Sequence, residues 1–423
     1  MKYFIAVLFL IFTSNVVFSQ TTSNAIIPIE RHSFSSQILG EERTFQVYLP
    51  PSYFYSDQGN FPVIYLMDGD YNFYYDTGLI EFLSSVADKI PEMIVVGISD
   101  KGSTKFRDYC RLNIDSPNGG NANKFMTFLE EELKPMVNKK YRTSEYDILV
   151  GHSMGGLFVA NHFLERPEGF DSFISIDPSL WWNDYALTEK ADSIFQDQKE
   201  LKSNLFISLA NTQGMGVRGF VGILDQYFPY DSKWNFKHYE NENHGSVHMI
   251  AIQDALLTLF KDWEVSRTQF YSFNSAQDLM DHYKKINTDF STDFSLPAYN
   301  FGSMMNYYYR KDLTGDIDLL ESEIDQHFPN SMDEFYISLA RYQMNAKKYE
   351  DAEKTYNKCL TKRPNSFRAY EGLSKIYAER SEFKKAKKAS DRSLELAKNA
   401  RVRQWQMNEL QSNFENIDQL SKK

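Results

Sequence analysis

The chain has 423 residues with a formal net charge of −11, and hydrophobic residues make up 42% of it. This length allows two or three domains, and the apolar content is sufficient for a sizeable core. The negative charge argues against a general nucleic-acid binder, because such proteins need a basic surface for the phosphate backbone.

The first twenty residues have the pattern of an export signal. Lys2 gives a positive start, an apolar run covers Phe4 to Phe12, and cleavage is expected after Ser19. We predict a signal peptide over residues 1–19 and an exported mature protein, periplasmic or secreted. An uncleaved anchor is the alternative, although the apolar run is short for a bilayer and no later run is long enough to span one.

Strand and helix patterns then alternate as far as residue 263. Strands are predicted at Ser33–Leu39, Arg43–Leu49, Phe61–Met67, Met93–Ile98, Tyr146–Val150, Phe173–Ile176, Leu205–Leu209 and Trp234–Tyr239. Helices are predicted at Gly78–Ala87, Asn123–Val137, Leu157–Glu165, Arg218–Phe228 and Val247–Trp263. Such alternation predicts an α/β domain with a doubly wound, mostly parallel sheet, to which we assign residues 20–267.

Helical periodicity alone continues beyond Ala276. Aromatic and small residues recur there at a spacing of about 34, which is typical of tetratricopeptide repeats. Phe335–Pro364 and Phe367–Lys398 carry this pattern, and Phe301–Pro329 fits it loosely. We predict a tetratricopeptide-like repeat domain over residues 276–423 that acts on larger substrates or on a protein partner through its concave face. A generic stack of helical hairpins is the alternative. A chain ending near Arg267 is expected to fold and to hydrolyse a small ester.

The two cysteines, Cys110 and Cys359, fall in different predicted domains, so a disulfide between them is not expected.

The sequence Gly151-His152-Ser153-Met154-Gly155-Gly156 lies between a predicted strand and a predicted helix. G-x-S-x-G in this context is a nucleophile elbow, in which a sharp turn exposes the serine hydroxyl at the top of a sheet. We predict that Ser153 is a nucleophile and that the Met154 backbone N–H stabilises an oxyanion. A glycine-rich turn before an ordinary helix is the alternative.

A serine nucleophile needs a base, which follows it in the chain in this kind of fold. His244 lies in a loop between the last predicted strand and the last helix, beside the elbow, so we assign it as general base and acid. The acid is less evident, because the loop after Leu209 has no carboxylate. Asp177 follows the preceding strand and is the best candidate, and a Ser–His dyad is the alternative.

The turn Asp68-Gly69-Asp70 follows another strand that ends near the elbow. We expect the Asp70 N–H to be the second oxyanion donor and Asp68 to contact substrate. Neither a metal nor a cofactor is expected, since no further ligand cluster lies nearby in sequence. Trp181 and Trp182 follow Asp177 closely and are candidates for the wall of a substrate cleft.

Taken together, these motifs resemble the esterase D / ferric-enterobactin-esterase family of α/β-hydrolases over residues 31–263. The resemblance is carried by Arg43–Pro50, Tyr65–Gly69, Gly151–Gly156, Pro178–Trp182 and His244–Val247. It implies an α/β-hydrolase fold, a carboxylic-ester hydrolase without a metal, and oxyanion donors at Asp70 and Met154. The chain departs from the family pattern at Thr212 and Gln213, where an acidic residue is common.

The leading hypothesis is therefore an exported serine esterase that acts through an acyl-enzyme. Its substrate would be a small-molecule, glycan or siderophore-type ester. Acyl transfer to a sugar or another alcohol on the same site is one alternative. A partner-binding scaffold with a vestigial hydrolase domain is another, although retention of both Ser153 and His244 argues against it.

Overall fold

The computed structural model describes residues 29–54, 59–115, 117–230, 233–273, 275–310, 315, 317–400 and 402–422. The predicted signal peptide lies outside these residues. Within them, no helix has both the length and the apolar character that a membrane crossing requires.

One sheet of eight strands organises the first part of the chain, in the order β1-β2-β4-β3-β5-β6-β7-β8. The hairpin β1–β2 is antiparallel and joins β4 antiparallel, whereas β4, β3 and β5 to β8 run parallel to one another. The strands are β1 Ile29–Ser36, β2 Glu41–Tyr48, β3 Phe61–Leu66, β4 Ile94–Ile98, β5 Thr143–His152, β6 Ser172–Ile176, β7 Asn204–Ala210 and β8 Trp234–Tyr239.

Helices cover both faces of this sheet. They are α1 Gly69–Ser85, α2 Ser103–Cys110, α3 Ala122–Phe128, α4 Lys134–Lys140, α5 Met154–Glu165, α6 Trp182–Phe195, α7 Val217–Tyr227 and α8 Val247–Leu259. Buried side chains of α1 and α8 share one apolar cluster, and those of α2, α3 and α5–α7 share the other. The predicted fold class, an α/β-hydrolase sheet followed by a helical region, is confirmed.

Two helices differ from the sequence prediction. Helix α1 begins at Gly69 rather than Gly78, because the Asp68 carbonyl accepts from the N–H groups of Tyr71 and Asn72 and so starts the first turn. The helix predicted at Asn123–Val137 is present as α3 and α4, joined by a π turn at Leu129–Leu133. The turn ends two residues before Pro135, which has no N–H to continue the normal ladder. Helices α2 and α6 were not predicted.

The described residues between 267 and 422 form a helical region. Its helices are α9 Arg267–Ser272, α10 Ala276–Asp289, α11 Ala298–Arg310, α12 Ile317–His327, α13 Met332–Asn345, α14 Tyr349–Lys362, α15 Phe367–Glu379, α16 Phe383–Asn399 and α17 Gln404–Ser421. Neighbours joined by short loops pack side by side, and Gly372 of α15 leaves the space that the Tyr356 ring of α14 occupies. The assignment of these pairs to tetratricopeptide repeats stays a prediction. Cys110 and Cys359 are both buried and form no disulfide.

The helical region shares a core with the amino-terminal end of the sheet. The Phe260 ring stacks on Phe290 at 5.1 Å between centroids, and Trp263 packs edge-on against Tyr283 at 5.7 Å. Tyr146, near the start of β5, packs against Phe290 at 5.0 Å. One continuous apolar cluster therefore crosses the predicted boundary between residues 267 and 276. This shared core argues against the expectation that a chain ending near Arg267 folds by itself.

Candidate active site

Ser153 lies in the sharp turn between β5 and α5. Its φ of 58° and ψ of −114° are strained for a residue with a side chain. Its N–H donates to the Ile176 carbonyl at 3.0 Å, which anchors the turn to β6. A Cβ on Gly151 would lie 2.5 Å from the Gly155 backbone, so only glycine permits this close approach. The strand–turn–helix context predicted from the sequence is present.

His244 lies in the loop between β8 and α8 and reaches Ser153. Its Nε2 is 2.9 Å from the Ser153 Oγ, and its Nδ1 is 2.6 Å from the Asp177 Oδ2. The His244 side chain is 41% exposed, whereas Asp177 is fully buried. A half-open imidazole between a hydroxyl and a buried carboxylate is the geometry of a Ser–His–Asp triad.

Asp177 follows β6 with a φ of 40°, which turns its carboxylate under the next strand. The Asp177 Oδ1 accepts from the Ala210 N–H and from the Thr212 hydroxyl, each at 3.0 Å. Burial alone would raise the pKa of Asp177, but hydrogen bonds from His244, Ala210 and Thr212 hold it below its usual value. Thr212, at the position where the resembling family often has an acid, instead hydrogen-bonds an acid supplied by the neighbouring strand.

The two residues predicted as oxyanion donors are both found at the start of a helix. Met154 is the first residue of α5 and Asp70 is the second residue of α1. The first four N–H groups of a helix have no partner within that helix, and the positive end of the helix dipole adds to their attraction for an anion. The two residues predicted as oxyanion donors therefore stand at helix starts, each beside the carboxyl end of a central strand.

The two aspartates of the turn after β3 support the site with their side chains. The Asp68 Oδ2 accepts from the His152 N–H at 2.9 Å and so links the end of β3 to the elbow. Burial raises the pKa of the Asp68 carboxyl to about 6. Asp70 accepts from the Ser99 hydroxyl at 2.7 Å and the Asp100 N–H at 2.9 Å, which fixes the start of α1. Substrate contact by Asp68 stays a prediction.

Trp181 and Trp182 have different surroundings. Trp181 is 48% exposed, whereas Trp182 is 5% exposed and packs in the apolar core. Directly after them, residues 183–185 all have positive φ, and this turn presents a half-exposed Tyr185. Gly216, with a φ of +80°, leaves room for both Tyr185 and the Trp181 backbone. Trp181 and Tyr185 are thus two exposed aromatic side chains on this loop, and Tyr185 gave no signal in the sequence.

His152, Asp177 and His244 each offer a ligand atom within 4.8 Å of the other two, so this group could in principle hold a metal ion. Hydrogen bonds already use both oxygens of Asp177 and both ring nitrogens of His244. Burial, with the nearby His244 and His248, lowers the pKa of His152 to about 4. The arrangement therefore fits a hydrogen-bonded triad beside a neutral imidazole better than it fits a metal centre.

The comparison with protein families finds a similarity to esterases. Residues 36–218 match the model of a family described as "Putative esterase". The matched range includes the elbow, Asp70 and Asp177, and it ends before His244.

Individual proteins and one solved structure extend the similarity. Ferri-bacillibactin esterase BesA of Bacillus subtilis is 29% identical over 229 residues, which cover 49% of this chain and 74% of that protein. The siderophore triacetylfusarinine C esterase of Aspergillus fumigatus is 25% identical over 244 residues, which cover 49% of this chain and 84% of that protein. The crystal structure of an IroE-like serine hydrolase from Shewanella oneidensis is 27% identical with a TM-score of 0.57, covering 71% of this chain and 99% of that one.

Proposed function

We propose that this chain, a carboxylic-ester hydrolase similar to the esterase family, is an exported serine esterase in which Ser153, His244 and Asp177 form the catalytic triad. The observation that carries the proposal is the unbroken hydrogen-bond chain from the Ser153 Oγ through both His244 nitrogens to the Asp177 carboxylate. Each group has the neighbour that its role requires.

The reaction begins when the Ser153 Oγ attacks the ester carbonyl carbon and its proton passes to the His244 Nε2. Asp177 accepts the Nδ1–H, which fixes the tautomer that leaves the Nε2 lone pair free and stabilises the imidazolium that forms. The N–H groups of Met154 and Asp70 would donate hydrogen bonds to the carbonyl oxygen and stabilise the negative charge that develops on it.

The tetrahedral intermediate then collapses, and the bond between the carbonyl carbon and the alcohol oxygen breaks. The departing alcohol takes the proton from His244, and Ser153 is left acylated. Water gives a proton to His244 and attacks the acyl-enzyme. Release of the carboxylic acid returns the proton to Ser153.

We propose a siderophore-type ester as the substrate class, because BesA is named as a ferri-bacillibactin esterase and the Aspergillus enzyme as a siderophore esterase. The exposed rings of Trp181 and Tyr185 beside the site suit an aromatic or extended apolar substrate. Export rests on the sequence pattern of residues 1–19, and recognition of a protein partner by the helical region remains a prediction.

The test is turnover of a panel of aryl, sugar and catecholate esters by the wild type and by Ser153→Ala. We expect a loss on the order of 10⁴-fold or more in kcat with an unchanged circular dichroism spectrum. Ser179→Ala is the matched control, since the Ser179 Oγ lies 3.3 Å from the Ser153 Oγ and is the other hydroxyl at this point. Substantial turnover by Ser153→Ala would sink the proposal, and product analysis with added alcohols would reveal acyl transfer.

A further inference from the structure

A second histidine–carboxylate pair lies beneath the proposed site and takes no part in the chemistry described above. The His248 Nε2 is 3.1 and 3.0 Å from the two oxygens of Asp76. Both side chains are buried, with Asp76 at 0% and His248 at 8% exposure. Burial raises the pKa of Asp76 even beside the histidine, whereas Asp76 raises the pKa of His248 in spite of burial. The two side chains are thus hydrogen-bonded to each other and shielded from water.

The pair joins the two helices that flank the proposed site. Asp76 is on α1, whose second residue is Asp70, the proposed oxyanion donor. His248 is the second residue of α8 and lies four residues after the base His244. A bond between Asp76 and His248 therefore connects the segment that stabilises the oxyanion with the segment that carries the base.

Further contacts join α1 to α8 along the line where the two helices meet, which we call the α1–α8 seam. The Asn72 side chain lies 3.4 Å from the His248 Nδ1, and the Tyr75 hydroxyl donates to the Met249 carbonyl at 3.0 Å. The His152 ring, directly before the nucleophile, packs edge-on against His248 at 5.9 Å. The α1–α8 seam thus also contacts the elbow that carries Ser153.

Apolar contact alone would leave the relative position of the two helices less well defined. Apolar surfaces are non-directional, so two helices packed through them can shift by a fraction of an ångström at little cost. A buried ion pair gives little net stability, because desolvation offsets most of its attraction, but its hydrogen bonds fix distance and direction. The free-energy cost of burying the two polar side chains is understandable if the alignment of α1 and α8 matters to the reaction.

We propose that Asp76 and His248 are positioning residues that set the His244 imidazole and the Asp70 N–H in register around Ser153. The inference rests on the proposed serine-esterase function, because the groups aligned are those of that mechanism.

The chain offers a control in a second histidine–carboxylate pair, in which His162 is buried and Glu130 is 24% exposed. The His162 Nε2 is 2.6 Å from the Glu130 Oε1, and His162 is fully buried. This pair ties α5 to the π turn on the other face of the sheet, more than two helical turns beyond Met154. Its loss should lower stability without moving the proposed catalytic groups.

The experiment compares Asp76→Asn with Glu130→Gln, and His248→Gln with His162→Gln, in the full-length protein. For each folded variant, kcat and KM are measured on a small aryl ester, together with the rate at which an aryl phosphonate labels Ser153. Because a misplacement of about 1 Å can cost about 100-fold, we expect kcat and labelling to fall roughly 10- to 100-fold in the Asp76 and His248 variants, with little change in KM. The Glu130 and His162 variants should keep wild-type kcat and labelling, even where the melting temperature falls equally.

Equal kcat and equal labelling in the two sets of variants would overturn the inference. Failure of both Asp76→Asn and His248→Gln to fold, while both control variants fold, would show a purely structural role and overturn it too. A wild type that neither turns over esters nor is labelled at Ser153 would instead refute the proposed function. An active, labelled wild type with unaffected Asp76 and His248 variants would refute the positioning role alone.

Discussion

The two ends of the parallel sheet are built differently. At the carboxyl end, Ser153 and Asp177 have positive φ, and polar side chains hold one another in place. At the amino end, large rings such as Phe260 and Trp263 are buried against the helical region. Strained backbone persists only where the surrounding structure is rigid enough to impose it. The comparison teaches that the reactive end depends on directed bonds and the opposite end on buried apolar area.

At the carboxyl end of the sheet, Asp177→Asn should have the largest effect. Asparagine keeps the shape but favours the wrong His244 tautomer, so we expect kcat to fall by about 10⁴-fold with little loss of stability. Steady-state kinetics and thermal melting measure the two effects separately. Thr212→Val, which removes one hydrogen bond to the same carboxylate, should cost far less. If Asp177→Asn kept a tenth of the wild-type kcat, a Ser–His dyad would be the better description.

At the opposite end, Trp263→Ala should have the reverse effect. Trp263 is 4% exposed and packs against Tyr283 and Phe294. Its removal should lower the free energy of unfolding by about 3–5 kcal/mol, while kcat of the folded enzyme stays near wild type. Urea unfolding followed by circular dichroism is the measurement, and Trp405→Ala, at a 56% exposed tryptophan, is the control. A stable Trp263→Ala protein would mean that the shared core contributes little.

The adjacent tryptophans allow a smaller test within a single loop. Trp181→Ala should raise KM for aryl esters by up to about 10-fold, since aromatic contacts contribute roughly 0.5–1.5 kcal/mol, and it should leave stability unchanged. Trp182→Ala should destabilise the protein instead, because that ring is buried. Michaelis–Menten kinetics and melting curves on both variants would separate the effect on KM from the effect on stability. Identical KM values for wild type and Trp181→Ala would remove Trp181 from the proposed cleft.

The smallest effect concerns the pH dependence of stability at the carboxyl end. The pKa of His152 is lowered to about 4 in the folded protein, against about 6.5 when unfolded. The stability that the neutral ring contributes is therefore present above pH 6.5 and is lost as pH falls towards 4. The wild type should melt at a higher temperature than His152→Gln at pH 6.5, and this difference should become smaller as pH falls to 4.

The contribution of Asp68 to stability depends on pH with the opposite sign. Its folded-state pKa of about 6 lies above the unfolded value of about 3.9, so its contribution to stability falls as pH rises between those values. Melting temperatures of wild type, His152→Gln and Asp68→Asn at matched pH values test both signs. Parallel curves for all three proteins would contradict this account of the buried groups.

Most of the sheet could be predicted from the sequence because buried parallel strands are continuous apolar runs. Strand β8 was predicted at the bounds that the structure shows, and β3 to within one residue. The start of α1 was misplaced, because it depends on one backbone carbonyl, at Asp68, that no side-chain pattern reveals. Helices α2 and α6 were missed, since α6 begins with a turn of positive φ that propensities do not describe.

The site was partly readable for a similar reason. Ser153 and His244 lie in short motifs whose spacing carries chemistry, and the geometry brings them together. Asp177 was only a positional guess, because residues 67 apart meet through the order of the strands rather than through a motif. The Asp76–His248 contact spans 172 residues and gave no signal at all.

The hydrogen bond between Asp177 and Thr212 also bears on how such sites change during evolution. The end of β6 and the loop after β7 meet at one 3.0 Å contact, so a carboxylate at either position could face the same imidazole nitrogen. The acidic role could pass from one strand to its neighbour through an ancestor with acids at both positions, without an inactive intermediate. Relatives that lack an acid after β7 should therefore be searched for one after β6 before they are counted as degenerate.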